Sequence, residues 1–184
     1  GEGGAILTSD KRLIEKMQDS RLLGVKKDTE KRASNQRSWD FDVESQGFRF
    51  HMSNINAAIG IEQLKRIDFF KEKRQLIAKQ YIEILSPINE VKFLNLNYEE
   101  IVPHIFGIKV KNRDGLRDYL LKSGIECGVH YKPNHMLKMY SNPLVTLSIT
   151  ESLYSKIISL PCHVDLSLLE QDYVIEKIGE FYNA

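Results

Sequence analysis

Apolar positions recur at helical spacing near both ends of this chain, and shorter alternating runs lie between them. A brief apolar run from Ala5 to Thr8 predicts a strand. Leu13, Ile14 and Met17 then fall on one helical face, with Ser9 or Asp10 as the cap and Gly24 as the stop. From Ser53 onward the pattern lengthens. Ala57, Ile61, Leu64, Ile67, Arg74, Ile77, Tyr81 and Leu85 follow steps of three, four or seven, no proline interrupts them, and Pro87 closes the run. This predicts one connecting helix over 53–86, spanning roughly 45 Å at 1.5 Å per residue. A helix of that length suits a chain passing from one domain into the next.

The remainder reads as a small α+β domain over 87–184. Val91 to Leu94 and His104 to Val110 are strand candidates, with Phe106, Ile108 and Val110 alternating. Asn112 to Ser123 is predicted as a helix closed by Gly124. Ile125, Cys127, Val129 and Tyr131 alternate as in a strand, which would put Glu126, Gly128 and His130 on its other face. Ser167 and Glu170 form a capping box that opens a last helix to about Tyr182. Between the two regions, Val25 to Gln46 is charged and aperiodic. It reads as a solvated loop or as one reaching over a ligand or a second subunit, and Trp39 and Phe41 favour some anchoring.

Composition narrows the classes. Of 184 residues, 26 are basic and 25 acidic, giving a net charge of +1, which supplies no general reason for binding nucleic acid or an anionic membrane. No apolar run approaches the ~20 residues of a membrane span. Cys127 and Cys162 lack metal-ligand spacing and are expected to be reduced, partly buried thiols of a cytoplasmic protein.

Three polar patches are candidates for chemistry. Gly1-Glu2-Gly3-Gly4 permits a tight turn or a close approach to a ligand. In Gly47-Phe48-Arg49-Phe50-His51-Met52-Ser53-Asn54, cations meet a helix start, which suits an anion site or, equally, aromatic packing with Arg49 solvated. In His130-Tyr131-Lys132-Pro133-Asn134-His135, the histidine spacing is wrong for a helical metal pair. That patch is a polar cluster facing a cleft or a surface turn. His104 and His163 default to structural roles, and no metal site is expected. These patches alone name no reaction.

In order along the chain they resemble the DegT/StrS nucleotide-sugar aminotransferases, which use pyridoxal phosphate (PLP) and have the aspartate-aminotransferase fold. Gly1-Glu2-Gly3-Gly4-Ala5 with Thr8-Ser9-Asp10 is similar to the segment after that family's PLP lysine. Residues 47–60, continued by Gln63-Leu64 and Arg74, resemble its central signature. Gly124-Ile125, Val129-His130-Tyr131, Pro133, His135 and Tyr140 resemble its small-domain motif. Ser159-Leu160-Pro161, Asp172 and Val174 resemble its carboxy-terminal motif.

The resemblance implies an α/β fold of type I, with 1–52 ending a large PLP-binding domain and 87–184 forming the small one. It implies transfer of an amino group from glutamate to a keto nucleotide-sugar, in a cytoplasmic homodimer, with polysaccharide biosynthesis as the usual setting. It implies Arg49, His51 and Asn54 as cofactor-binding residues and His130, Tyr131 and His135 as substrate-binding ones. Arg49 stands where many relatives carry Asn, and His51 where many carry Arg. The PLP lysine is expected upstream of Gly1, so these residues read as a carboxy-terminal half, inactive and without PLP by itself. Two other readings stay open: a PLP-dependent sugar dehydratase of the same fold, and a non-catalytic binding module derived from it.

Overall fold

A computed structural model of the chain describes residues 3–26, 34–35, 41–142 and 144–183. The chain divides into two compact units, Gly1–Lys65 and Arg66–Ala184.

In the first unit, helix α1 spans Lys11–Ser20 and α2 spans Asn54–Leu64. Asp10 caps α1 by accepting from the amides of Arg12 and Leu13, at 2.8 and 3.4 Å. Ser53 caps α2 by accepting from the amide of Asn56 at 3.2 Å. Residues 20–24 run against 47–50. The amide of Leu23 donates to the Phe48 carbonyl (3.0 Å), that of Phe48 to Ser20 (2.7 Å) and that of Phe50 to Arg21 (2.9 Å). Gly24 turns the chain at φ 73°, a conformation only glycine adopts freely. A Cβ on Gly47 would collide with the backbone of Gly24 and Leu23, so the two segments meet as backbone against backbone. The base of the long loop is tied by a Val25–Val43 bridge and a 3.0 Å Lys26–Glu44 ion pair. The anchoring expected of Trp39 lies outside the described residues.

Two expectations for this unit need correction. Ala5–Thr8 forms no strand among the described residues, and Ile6 and Leu7 stay 75% and 94% exposed. An apolar pattern alone cannot make a strand that has no neighbour to bond. The single helix over 53–86 is two helices. Helix α2 ends at Leu64, α3 spans Ile67–Leu85, and Arg66 between them leaves helical geometry at φ −103° and ψ 6°. No proline or glycine marks the break; instead the Arg66 guanidinium lies over the Phe69 and Phe70 rings, at 5.8 and 4.9 Å.

The second unit holds an antiparallel sheet in the order β1 (Val91–Phe93), β2 (Phe106–Val110), β3 (Ile157–Leu160). Val91 pairs with Val110 on one side of β2, and Phe106 with Leu160 on the other. Helices α3, α4 (Arg113–Lys122) and α6 (Leu168–Asn183) complete the core, while the short α5 (Ser148–Tyr154) buries none of its residues. Phe106, fully buried, is its aromatic centre, with Tyr81 stacked at 5.2 Å and Tyr98 tilted at 5.4 Å. The predicted capping box forms: the Glu170 carboxylate accepts from the Ser167 amide (2.8 Å) and hydroxyl (2.7 Å). Asn112 caps α4, and Gly124 follows it at φ 79°.

The predicted strand over Ile125–Tyr131 shrinks to one bridge, Gly128 with Ser159. Ile125 is buried and Cys127 half-buried, so the alternation reports burial without a full ladder.

Candidate functional site

The predicted cofactor residues lie together at the start of α2. His51 and Asn54 line a hollow of about 470 Å³, with Gly4, Arg21 and Ala57. Gly4 has open space where a side chain would stand. Arg21 is brought there because the amide of Phe50 bonds its carbonyl, which places it on the strand-like pair beside His51. Arg49 is exposed, its backbone bridges to Leu22, and its side chain is not part of the hollow's wall. The rings of Phe48 and Phe50, which flank it, stack at 5.0 Å. A guanidinium, an imidazole, a carboxamide and the first turn of a helix make a donor set suited to a phosphate ester. The residues present therefore fit the phosphate end of PLP. Sequence reading missed Arg21, because nothing in its spacing ties it to position 51.

The predicted substrate residues belong to the second unit. His130 is exposed, but its Nδ1 lies 2.9 Å from the buried Ser159 hydroxyl of β3. The Tyr131 ring meets the His130 ring edge-on at 4.8 Å and is itself 75% exposed. The peptide bond joining them is cis. His135 differs from both. Its side chain is only 14% exposed, and its Nε2 pairs with Glu151 of α5 at 3.0 Å. Glu151 also accepts from the Leu147 amide at 3.0 Å. That amide, and then His135, hold the Glu151 carboxyl below the usual carboxylate range. His135 thus fastens the short 3₁₀ turn Asn134–Met136 to α5, while His130 and Tyr131 face outward. Their partners Ser159 and Glu151 were not legible, since they stand far along the chain.

Beneath this surface α3 fixes the end of β3. Arg74 Nη1 donates to the carbonyls of Cys162 (2.6 Å), His104 (3.1 Å) and Pro103 (3.2 Å). The Tyr81 hydroxyl donates to Pro161 at 3.1 Å, and burial raises its pKa. Gln80 donates to Asp172 at 2.7 Å. A groove of about 870 Å³ between α3 and residues 96–99 contains none of the predicted residues. Among the described residues no group of three or more His, Cys, Asp or Glu is placed to hold a metal ion. Among the described residues no helix is long and apolar enough to cross a membrane.

The comparison with known proteins gives the class of the fold, that of the DegT-type aminotransferases. The profile of the DegT/DnrJ/EryC1/StrS aminotransferase family matches residues 1–179, and the chain belongs to that family. The UDP-4-amino-4,6-dideoxy-N-acetyl-beta-L-altrosamine transaminase of Campylobacter jejuni is 29% identical, aligning 98% of this chain with 50% of the relative. Among solved structures, a DegT DnrJ EryC1 StrS aminotransferase from Brucella abortus matches at a TM-score of 0.79 and 29% identity, over 96% of this chain and 45% of that one. Helicobacter pylori PseC, an aminotransferase involved in the biosynthesis of pseudoaminic acid, matches at 0.79 and 26% identity, over 96% and 47%. The chain spans about half the length of the curated relatives it matches.

Proposed function

We propose that this chain is the carboxy-terminal part of an aminotransferase that moves an amino group from glutamate to a keto group on a nucleotide-linked sugar. The observation that carries the reading is the family match over 1–179, nearly the whole chain. Bound PLP would supply the electron sink that lets an amino group pass between carbon skeletons. The residues here have supporting roles. His51 and Asn54, with Arg21, would hold the cofactor phosphate across a homodimer interface, and Arg49 on the same segment would act with them as a group. His130 and Tyr131 would face the nucleotide-sugar, with His135 keeping their segment in place. The reactive lysine is assigned to a part of the protein outside these residues, because no lysine here sits in the family's lysine motif. The 184-residue chain alone is then without transaminase activity, and the working enzyme is a homodimer in the cytoplasm.

The test is to express the full-length gene and measure the visible absorbance of bound PLP. Amino transfer from glutamate to a UDP-linked keto sugar is then followed by mass spectrometry. Retained cofactor and a product carrying nitrogen from labelled glutamate are expected, and His51→Ala with Asn54→Ala should weaken PLP retention. A full-length protein that binds no PLP, or a nitrogen donor other than glutamate, would refute the corresponding part of the reading.

A further inference from the structure

His130 is exposed, yet its ring has a seat made by two residues that are themselves paired. Gly128 and Ser159 exchange both backbone hydrogen bonds, the Gly128 amide to Ser159 at 3.1 Å and the reverse at 2.8 Å. The pair fixes the Ser159 side chain, only 6% of which residue is exposed, with its hydroxyl 2.9 Å from His130 Nδ1. The second half of the seat is an empty volume. A Cβ built on Gly128 would come within 2.5 Å of His130 Cε1, and within 3.2 Å of both ring nitrogens. Gly128 does not have the left-handed backbone found at Gly24 and Gly124. Its lack of a side chain is therefore demanded by the imidazole lying over it and not by its own dihedrals. Each feature alone is ordinary, but together they hold a solvent-facing ring by one nitrogen and one face.

We infer that Gly128 and Ser159 are positioning residues that lock the His130 imidazole with Nδ1 turned inward and bonded, leaving Nε2 as the atom offered to the nucleotide-sugar. The ligand role rests on the function proposed above; the seat does not. An imidazole held through one nitrogen has its rotamer and ring plane fixed by that bond whichever partner carries the shared proton, because a serine hydroxyl can donate or accept, and Nε2 keeps a defined direction. A free surface imidazole exchanges between rotamers, and would lose that freedom each time it bound. The Tyr131 ring, perpendicular to the imidazole with centroids 4.8 Å apart, packs against it as well.

The test is ¹³C and ¹⁵N relaxation of the His130 ring in histidine-labelled full-length protein, with the His130 resonances assigned by their loss in His130→Gln. A ring as ordered as the backbone is expected in the wild type, disorder in Ser159→Ala and Gly128→Ala, and retained order in Ser159→Thr, which keeps the hydroxyl. Should Gly128→Ala fail to fold, Ser159→Ala and Ser159→Thr decide the matter. A disordered ring in the wild type, or an ordered ring surviving in Ser159→Ala, would overturn the seat. UDP-N-acetylglucosamine is then titrated in. A shifted His130 resonance, at least threefold weaker in apparent affinity in Ser159→Ala, supports the ligand role. A seated His130 that ignores the sugar nucleotide sinks that role and leaves the seat standing.

Discussion

Arg74 is half-buried on α3, and one of its nitrogens donates to carbonyls of two separate segments, at Pro103, His104 and Cys162. Consider Arg74→Leu. A hydrogen bond from a charged donor contributes about 1.5–3 kcal/mol net. One Nη1 carries only two hydrogens, so three acceptors share roughly two full bonds, and the expected loss is ~3 kcal/mol. The longer pair, at 3.1 and 3.2 Å, belongs to the weaker end. The Cys162 carbonyl matters most, at 2.6 Å beside a buried residue, and leaving it without a donor accounts for ~1–2 kcal/mol of that loss. At about 3 °C per kcal/mol for a chain of this size, the midpoint should fall by ~10 °C. Urea unfolding followed by far-UV circular dichroism measures the loss directly, provided the slope with urea is unchanged. Arg74→Lys should recover less than half of it, because an ammonium lacks the planar fork that reaches divergent carbonyls. A loss under ~1 kcal/mol for Arg74→Leu would show that water replaces the guanidinium at these carbonyls, and the clamp would be discarded.

Three further outcomes follow from the same geometry. Gly47→Ala forces a methyl into the backbone of Gly24 and should cost ~1–3 kcal/mol or open the pairing of 20–24 with 47–50, seen as new proteolytic cleavage there. Glu151 has a folded pKa held below the usual 4.5 by the Leu147 amide and then His135, so the stability it lends is present above 4.5 and lost as pH falls through the lowered value. Glu151→Gln should therefore destabilise at pH 7 and lose that effect as acid protonates the carboxyl; a cost that does not change with pH would contradict it. Burial, and then Glu126, push the Cys127 thiol up to about 12, and burial raises Cys162 against the opposing pull of Arg74. Both should resist Ellman's reagent at pH 8 until the protein is denatured, so rapid labelling of the folded protein would be the contrary result.

The elements that the sequence announced are those whose signals are local. Asn112 and Gly124 bracket α4, and Ser167 and Glu170 open α6, because a cap is a bond between neighbours in the chain. Phe106, Ile108 and Val110 marked β2 because alternate burial leaves a period of two. What escaped was decided at a distance. Ile157–Leu160 reads Ile-Ile-Ser-Leu, too short and without the alternation that would mark a strand, and its assignment as β3 depends on pairing with β2. The alternation at 125–131 was real but secured only the Gly128 bridge. The break at Lys65 and Arg66 carries no helix breaker at all. At the site, composition placed His51 beside a helix start, and α2 begins there. It could not supply Arg21, Glu151 or Ser159, since each is brought to its histidine by turns or sheet pairing that lie outside any local pattern.

Within the second unit, other long-range contacts gather at the end of β3. Tyr81 and Arg74, both on α3, bond the carbonyls of Pro161 and Cys162, and Gln171, 1% exposed, returns a bond from α6 to the Ile77 carbonyl at 2.8 Å. Buried donors are costly to leave unmatched, so each bond resists displacement of the strand end more than an exposed bond would. The same strand carries Ser159, which links this buried framework to the His130 ring. Order in an exposed side chain cannot exceed that of the group holding it. An imidazole bonded to a surface loop would inherit the motion of the loop, whereas His130 inherits the constraint of a core strand. This gives a physical reason for a short, three-helix-backed sheet whose outermost strand ends in Ser-Leu-Pro-Cys. The serine faces the site, while the carbonyls of the following proline and cysteine are gripped from behind by α3.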